Sequence, residues 1–194
     1  ALFGADPIET GHIYVKGQLV RSPNPRKSID HEMGLLPEDR RRHGLAQQLS
    51  VKHNLNMPIY PRIGTWGIIH THKESATCAH YIKTLDIKTP SPNQIVRNLS
   101  GGNQQKVVVG KWLASDSKVF LMDEPTNGID VGAKEEIYTL INTLAREGSA
   151  ILMISSYMTE LMGICDRILV MRNGTIVADV ARQDFDEERI LGLA

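Results

Sequence analysis

The residues best placed to do chemistry are two acids at the end of an apolar run, Val119-Phe120-Leu121-Met122 followed at once by Asp123-Glu124-Pro125. Four consecutive apolar residues read as a parallel strand buried on both faces, and open α/β sheets bind ligands beyond the carboxyl ends of such strands. Two carboxylates there cost desolvation unless a cation or a proton compensates. One reading gives Asp123 to a Mg2+ ion and Glu124 to polarising the attacking water of a phosphoryl transfer. The other makes Asp123 a helix cap with a solvated neighbour. A second stretch, Leu99-Ser100-Gly101-Gly102-Asn103-Gln104-Gln105, sets two glycines at a helix start. There an anion can approach backbone N–H groups and the positive end of the dipole, and the Ser100 hydroxyl can donate to a phosphate oxygen. A plain capped helix start is the competing reading for these residues taken alone.

The surrounding pattern says what must position them. Ser100 can cap a helix in which Val108 and Trp112, and Val109 and Leu113, fall four apart. Asp130 can cap the next helix, whose Ala133, Ile137, Leu140, Ile141 and Leu144 keep one face, with Gly148 ending it. Ala150 to Ile154 reads as another buried strand. Arg167–Met171 and Thr175–Ala178 flank Asn173-Gly174, a strong hairpin signal. Upstream, His12–Val15 and Met33–Leu36 read as short strands, while Ala1–Pro7 reads as the tail of a helix broken by Gly4 and Pro7. Helical patterns at Val51–Met57 and Ser75–Leu85, parted by the Gly64–Gly67 loop, form a small helical lobe. Strands alternating with helices predict an α/β core with a mostly parallel sheet and an antiparallel appendage.

Composition narrows the function classes. The 194 residues carry 22 Lys+Arg against 22 Asp+Glu, which gives no electrostatic case for sequence-independent nucleic-acid binding. The two cysteines, Cys78 and Cys165, are too far apart for a metal clamp and too few for a disulfide framework. No apolar run approaches the roughly 18 residues of a membrane span.

Taken together the two stretches are far more specific than either alone. Leu-Ser-Gly-Gly-Asn-Gln-Gln-Lys, then residues 107–118, then an apolar strand ending Asp-Glu-Pro-Thr, resembles the ATP-binding domains of ABC transporters. Ser100–Gln105 matches the family's signature loop, Val119–Glu124 its Walker B strand and Asn127-Gly128-Ile129-Asp130 its D-loop. Asn-Gln-Gln-Lys, Gly-Ile-Asp-Val-Gly-Ala-Lys and Ile154-Ser155-Ser156 are similar to the second ATPase half of bacterial simple-sugar importers, the ribose, galactose, arabinose and xylose type. The resemblance implies an α/β, P-loop NTPase-like core at 1–47 and 99–182, the first part with a degenerate Q-loop. A helical subdomain falls at 48–98, and a tail at 183–194. It implies ATP and Mg2+ as cofactors, with Glu124 catalytic, Asp123 and Glu38 at the metal, and Ser100, Gly101, Gly102, Gln105, Asp130 and Ser156 at the nucleotide. It implies as partners a second ATPase half, transmembrane permease subunits docked near Gln48–His72 and, indirectly, a periplasmic sugar-binding protein, at the inner face of the cell membrane and without nucleic acid.

The sequence departs from a working ATPase in three places. No G-x-x-x-x-G-K-[ST] occurs, so nothing here cradles the β- and γ-phosphates; the resemblance implies that this loop, with its strand and helix, lies upstream, and that these residues alone are inactive. Glu38 stands where the family has its Mg2+-linked Gln, and Ser156 where it has a switch His. A silent half that completes its partner's site is therefore the alternative function, and a non-transport ABC ATPase a lesser one. His70, His72, Cys78 and His80 make no assignable ligand pattern and read as polar surface. Arg40-Arg41-Arg42-His43 reads as a solvated loop, with contact to phosphate or a membrane subunit as the alternative, and Trp66 and Trp112 read as packing residues.

Overall fold

The computed structural model describes residues 1–21 and 23–193, and the chain divides into two compact units, Ala1–Ile154 and Ser155–Ala194. The first opens on a small hairpin of β1 (Tyr14–Val15) and β2 (Gln18–Leu19). Helix α1 (Pro25–Asp30) follows, its first turn capped by the Asn24 side chain on the Lys27 N–H. Residues 1–10 hold turns and bends rather than the helix tail expected. Gly4 has φ +78°, and a Cβ there would lie 2.5 Å from the Asn24 backbone, so the segment is shaped by contact with the start of α1. The Ser28 hydroxyl donates to the Phe3 carbonyl, and Phe3 packs edge-on against Trp112 with ring centroids 5.5 Å apart.

Strand β3 (Met33–Leu36) leads into one π-helical turn, Arg40–Gly44. The lobe then follows: α2 (Val51–Asn56), α3 (Tyr60–Ile63), a hairpin of β4 (Gly64–Thr65) and β5 (Ile68–Ile69), and α4 (Thr71–Thr84). Trp66 at the hairpin turn is 98% exposed with φ +54°, so it is not a packing residue. The turn needs two left-handed positions, Trp66 and Gly67, and that geometry points the indole away from any core.

Helix α5 (Gly101–Ala114) is buried nearly all round from Gly102 to Trp112, and its buried polar side chains Gln104, Lys106 and Lys111 donate to backbone carbonyls, as burial of polar groups requires. A Cβ on Gly110 would lie 2.7 Å from Leu55 Cδ2 and 2.9 Å from Leu85 Cδ1, so the lobe sits directly on that helix. On the sheet side the Trp112 indole N–H donates to the Leu35 carbonyl at 2.6 Å. Strand β6 (Val119–Asp123), helix α6 (Val131–Arg146) and strand β7 (Ala150–Ile154) complete the unit. The sheet order is β3-β6-β7, parallel throughout. Phe120 and Met122 of the central strand are buried. The expectation of a buried β7 does not hold. Leu152 is 40% and Ile154 59% exposed, because β7 pairs with β6 alone among the described residues and its alternate side chains meet no covering layer.

The second unit contains α7 (Met158–Ile164), β8 (Arg167–Arg172), β9 (Thr175–Ala181) and α8 (Glu187–Leu193). Asn173 and Gly174 both have positive φ, as the type I′ turn of an Asn-Gly hairpin requires. Ile168, Val170, Val180 and Ile190 form its core.

Candidate functional site

Asp123 ends the central strand, paired in register with Ile154, and is half-buried. The next residue, Glu124, has φ +46°, a left-handed conformation that costs a non-glycine residue about 1–2 kcal/mol. Its N–H donates to the Ile154 carbonyl at 2.9 Å, and its carbonyl accepts from Asn127. The helix-cap reading of Asp123 therefore fails: a strand runs straight into a turn. Asp123 lines a cleft of about 320 Å³ with Leu35, Leu121, Leu152, Ile154 and residues near the N-terminus.

Ser100 is exposed and caps α5. Its Oγ accepts from the Asn103 side-chain amide at 2.9 Å and, more loosely, from the Asn103 backbone N–H at 3.5 Å. Asn103 is itself fixed, because its Oδ1 accepts from the Lys88 N–H at 2.7 Å. Both contacts use Ser100 Oγ as an acceptor, so its one hydrogen is available to donate. The N–H groups of Gly101 and Gly102 lead the helix, where no helical carbonyl precedes them. Both glycines are also demanded from within the chain. A Cβ at Gly101 would lie 2.8 Å from Arg40 Nη2 and 2.9 Å from the Gly128 carbonyl, and one at Gly102 only 2.6 Å from Ala133 Cβ.

The other expected residues fall as follows. Gln105 is 2% exposed, so it lies in the body of α5 rather than at its open end. Its neighbour Gln104, which sequence reasoning passed over, directs its amide to the carbonyls of Val96, Arg97 and Leu99 and so shapes the approach to Ser100. Asp130 is exposed and caps α6, its Oδ1 accepting from the Ala133 N–H at 3.0 Å. Ser156 is exposed in the second unit, beside Ser155, whose hydroxyl bonds the Glu160 carboxylate. Glu38 lines a different cleft from Asp123, an open one of about 350 Å³ shared with Asp39, Arg40, Arg41, Asn127 and Gly128.

That second cleft corrects the view of the arginine run as a solvated loop. Arg41, Arg42 and His43 are exposed, but Arg40 is buried. Asp39 sets the register by accepting from the N–H groups of Arg41 and Arg42, each at 3.0 Å. Arg40 then donates from Nη1 to the Asn127 carbonyl at 2.6 Å and from Nη2 to the Gly128 carbonyl at 3.0 Å. Burial lowers its pKa, and the neighbouring Arg41 charge acts in the same direction. Three successive arginines give no local sign of which one turns inward.

Magnesium bound with a nucleotide takes one or two protein carboxylates plus phosphate oxygens. Asp123 at the strand end suits that demand. Among the described residues no group of three or more His, Cys, Asp and Glu is placed to hold a metal alone. Cys78 is buried in the lobe, and His80 meets Tyr81 edge-on. The donor set thus fits two separate parts of a nucleotide site, an acid pair and an anion-binding helix start, without a phosphate-cradling loop between them.

Comparison with known proteins agrees with this partial fit. Residues 1–127 match the ABC transporter family. The ribose import ATP-binding protein RbsA of Geobacillus kaustophilus is 45% identical over 194 residues, all of this chain and 39% of that protein. The arabinose import ATP-binding protein AraG of Rhizobium meliloti is 46% identical over 194 residues, all of this chain and 38% of that protein. The chain thus spans about two-fifths of the length of these relatives. In fold it resembles a nucleotide-free ATP-binding cassette from an ABC transporter, with TM-score 0.81 and 18% identity, covering 99% of this chain and 76% of the other. A dimeric cassette in a post-hydrolysis state bound to ADP and Pi gives TM-score 0.76 at 18% identity, covering 94% of this chain and 78% of the other. An acid pair closing the central parallel strand, a signature helix led by an outward-facing serine, and matches of this extent together place the chain in the ABC transporter family.

Proposed function

We propose that this chain is the second ATPase half of a subunit that powers monosaccharide import. The observation that carries the reading is the exposed Ser100 at the open start of α5, whose Oγ accepts twice from Asn103 and keeps its hydrogen to donate to an anion brought by another body. Bound Mg-ATP supplies the phosphoryl group and the cation that neutralises its charge. Ser100 and the N–H groups of Gly101 and Gly102 would hold the phosphates of the nucleotide carried by the partner ATPase half. Asp123 would hold the cation of a second nucleotide, and Glu124 would take a proton from its attacking water. The phosphate cradle for that second nucleotide would come from residues outside these 194. Asp130 would order the loop facing the partner, Gln105 would act through the helix it is buried in, and Glu38 and Ser156 would stand in for the usual Gln and His. Permease subunits would dock on the lobe, with a periplasmic sugar-binding protein acting through them, and the assembly would lie on the inner face of the cell membrane. Among the described residues no helix is long and apolar enough to cross a membrane. The balanced charge favours this over a nucleic-acid ATPase.

A second reading, a silent half that only completes its partner's site, draws on Glu38 and Ser156. Glu124→Gln in the whole transporter separates the two. Loss of a general base lowers turnover by about 10²–10⁴ while nucleotide binding persists. Unchanged turnover would refute catalysis by this half and leave the silent reading standing.

A further inference from the structure

The segment from Leu35 to Gly44 is tied to α5 at both ends and to another loop in its middle. Trp112 donates to the Leu35 carbonyl at 2.6 Å, and Lys111 Nζ donates to the Gly44 carbonyl at 2.6 Å. Between these anchors, Arg40 reaches across to the carbonyls of Asn127 and Gly128, and the same guanidinium fills the place where Gly101 would carry a side chain. Arg40 is 8% exposed, and its Nε is buried with no hydrogen-bond partner. Taking a guanidinium out of water is costly, and two neutral carbonyls repay only part of that cost, so its removal need not weaken the fold much. Asn127 and Gly128 are exposed, so water can serve their carbonyls if the guanidinium goes. What an apolar replacement cannot do is hold two successive carbonyls in a fixed fork.

We propose that Arg40 is a positioning residue that couples the Glu38 loop to the 127–130 loop and to the start of α5. Displacement of Glu38–Arg41 then moves Asn127, Gly128 and Gly101 together, because one planar group bonds the carbonyls of the first two and occupies the space a side chain on the third would need. The inference rests on the reading that ATP is hydrolysed at these loops, and it adds a part within this chain to that reading.

The test uses Arg40→Met and Arg40→Lys in the whole ATPase subunit assembled with its membrane partners. Arg40→Met should leave the melting temperature within about 4 °C yet lower turnover per folded molecule by about tenfold or more. Amide exchange should rise about tenfold at 101–104 and 127–133 while the β6 amides stay protected. Arg40→Lys keeps the charge and can keep one of the two bonds, so it should recover part of both effects. Wild-type turnover in Arg40→Met would overturn the proposal. So would a loss that tracks a fallen melting temperature with exchange rising equally in β6, or an Arg40→Lys variant no better than Arg40→Met. Should the wild-type assembly fail to hydrolyse ATP, the functional reading falls instead, and the exchange pattern alone then decides whether Arg40 couples the loops.

Discussion

Gly102→Ala tests whether the second signature glycine is required by a phosphate or by this chain's own packing. The new Cβ would lie 2.6 Å from Ala133 Cβ, where ordinary contact begins near 3.4 Å, so the two atoms must part by several tenths of an ångström. Neither atom can swing aside. Ala133 sits in the first turn of α6, pinned by the Asp130 cap, and Gly102 sits in the first turn of the buried α5. Helix must move against helix, which typically costs about 1–3 kcal/mol. Better helix propensity returns at most about 1 kcal/mol, and less this close to a helix end. The net expectation is a loss of about 1–2 kcal/mol with no nucleotide present. Urea unfolding followed by tryptophan emission reads it cleanly, because Trp112 is buried whereas Trp66 is 98% exposed and already in water. Adding Ala133→Gly should restore most of the loss, less the roughly 0.5–1 kcal/mol that glycine costs in α6. A Gly102→Ala midpoint at or above wild type would refute the packing argument and leave phosphate approach as the reason for the glycine.

Three further outcomes follow from burial. Burial pushes the Lys111 ammonium down to about 8 from an ordinary lysine value of about 10.4, so above pH 8 the unfolded chain holds a proton that the folded chain has released. Its contribution to stability therefore rises with pH and is lost as the pH falls through 8. Tyr60, Tyr81 and Cys78, pushed up by burial, pull the other way from about pH 9. The test is the difference in unfolding midpoint between wild type and Lys111→Met across pH 8–9, and equal slopes would contradict it. Trp112→Ala should cost about 3–5 kcal/mol, whereas Trp66→Ser should stay within about 0.5 kcal/mol; equal effects in thermal melts would show that Trp66 is packed after all. The Cys78 thiol is fully buried and pushed up to about 11, so it should resist alkylation at neutral pH; rapid labelling by mass spectrometry would mean that the lobe opens.

What could be read from the sequence was whatever a few neighbouring residues decide among themselves. Ser100 and Asp130 cap the helices expected of them, since a cap needs only a side-chain oxygen and an N–H three residues on. Asn173-Gly174 makes its hairpin because both residues tolerate positive φ. Val119–Met122 forms a strand because four apolar residues in a row have no solvent face to offer. The structure decided everything that depends on which distant segment arrives opposite. Ala150–Ile154 has the same apolar run as the central strand, yet it forms the β7 edge of the sheet. Gln104, not Gln105, supports the approach to Ser100. Arg40 turns inward while Arg41 and Arg42 stay in water, because its partners lie 87 and 88 residues away. Local chemistry selects caps, turns and strands within a few residues, whereas burial depends on the surface that a remote part of the chain presents, and three consecutive arginines carry no record of that.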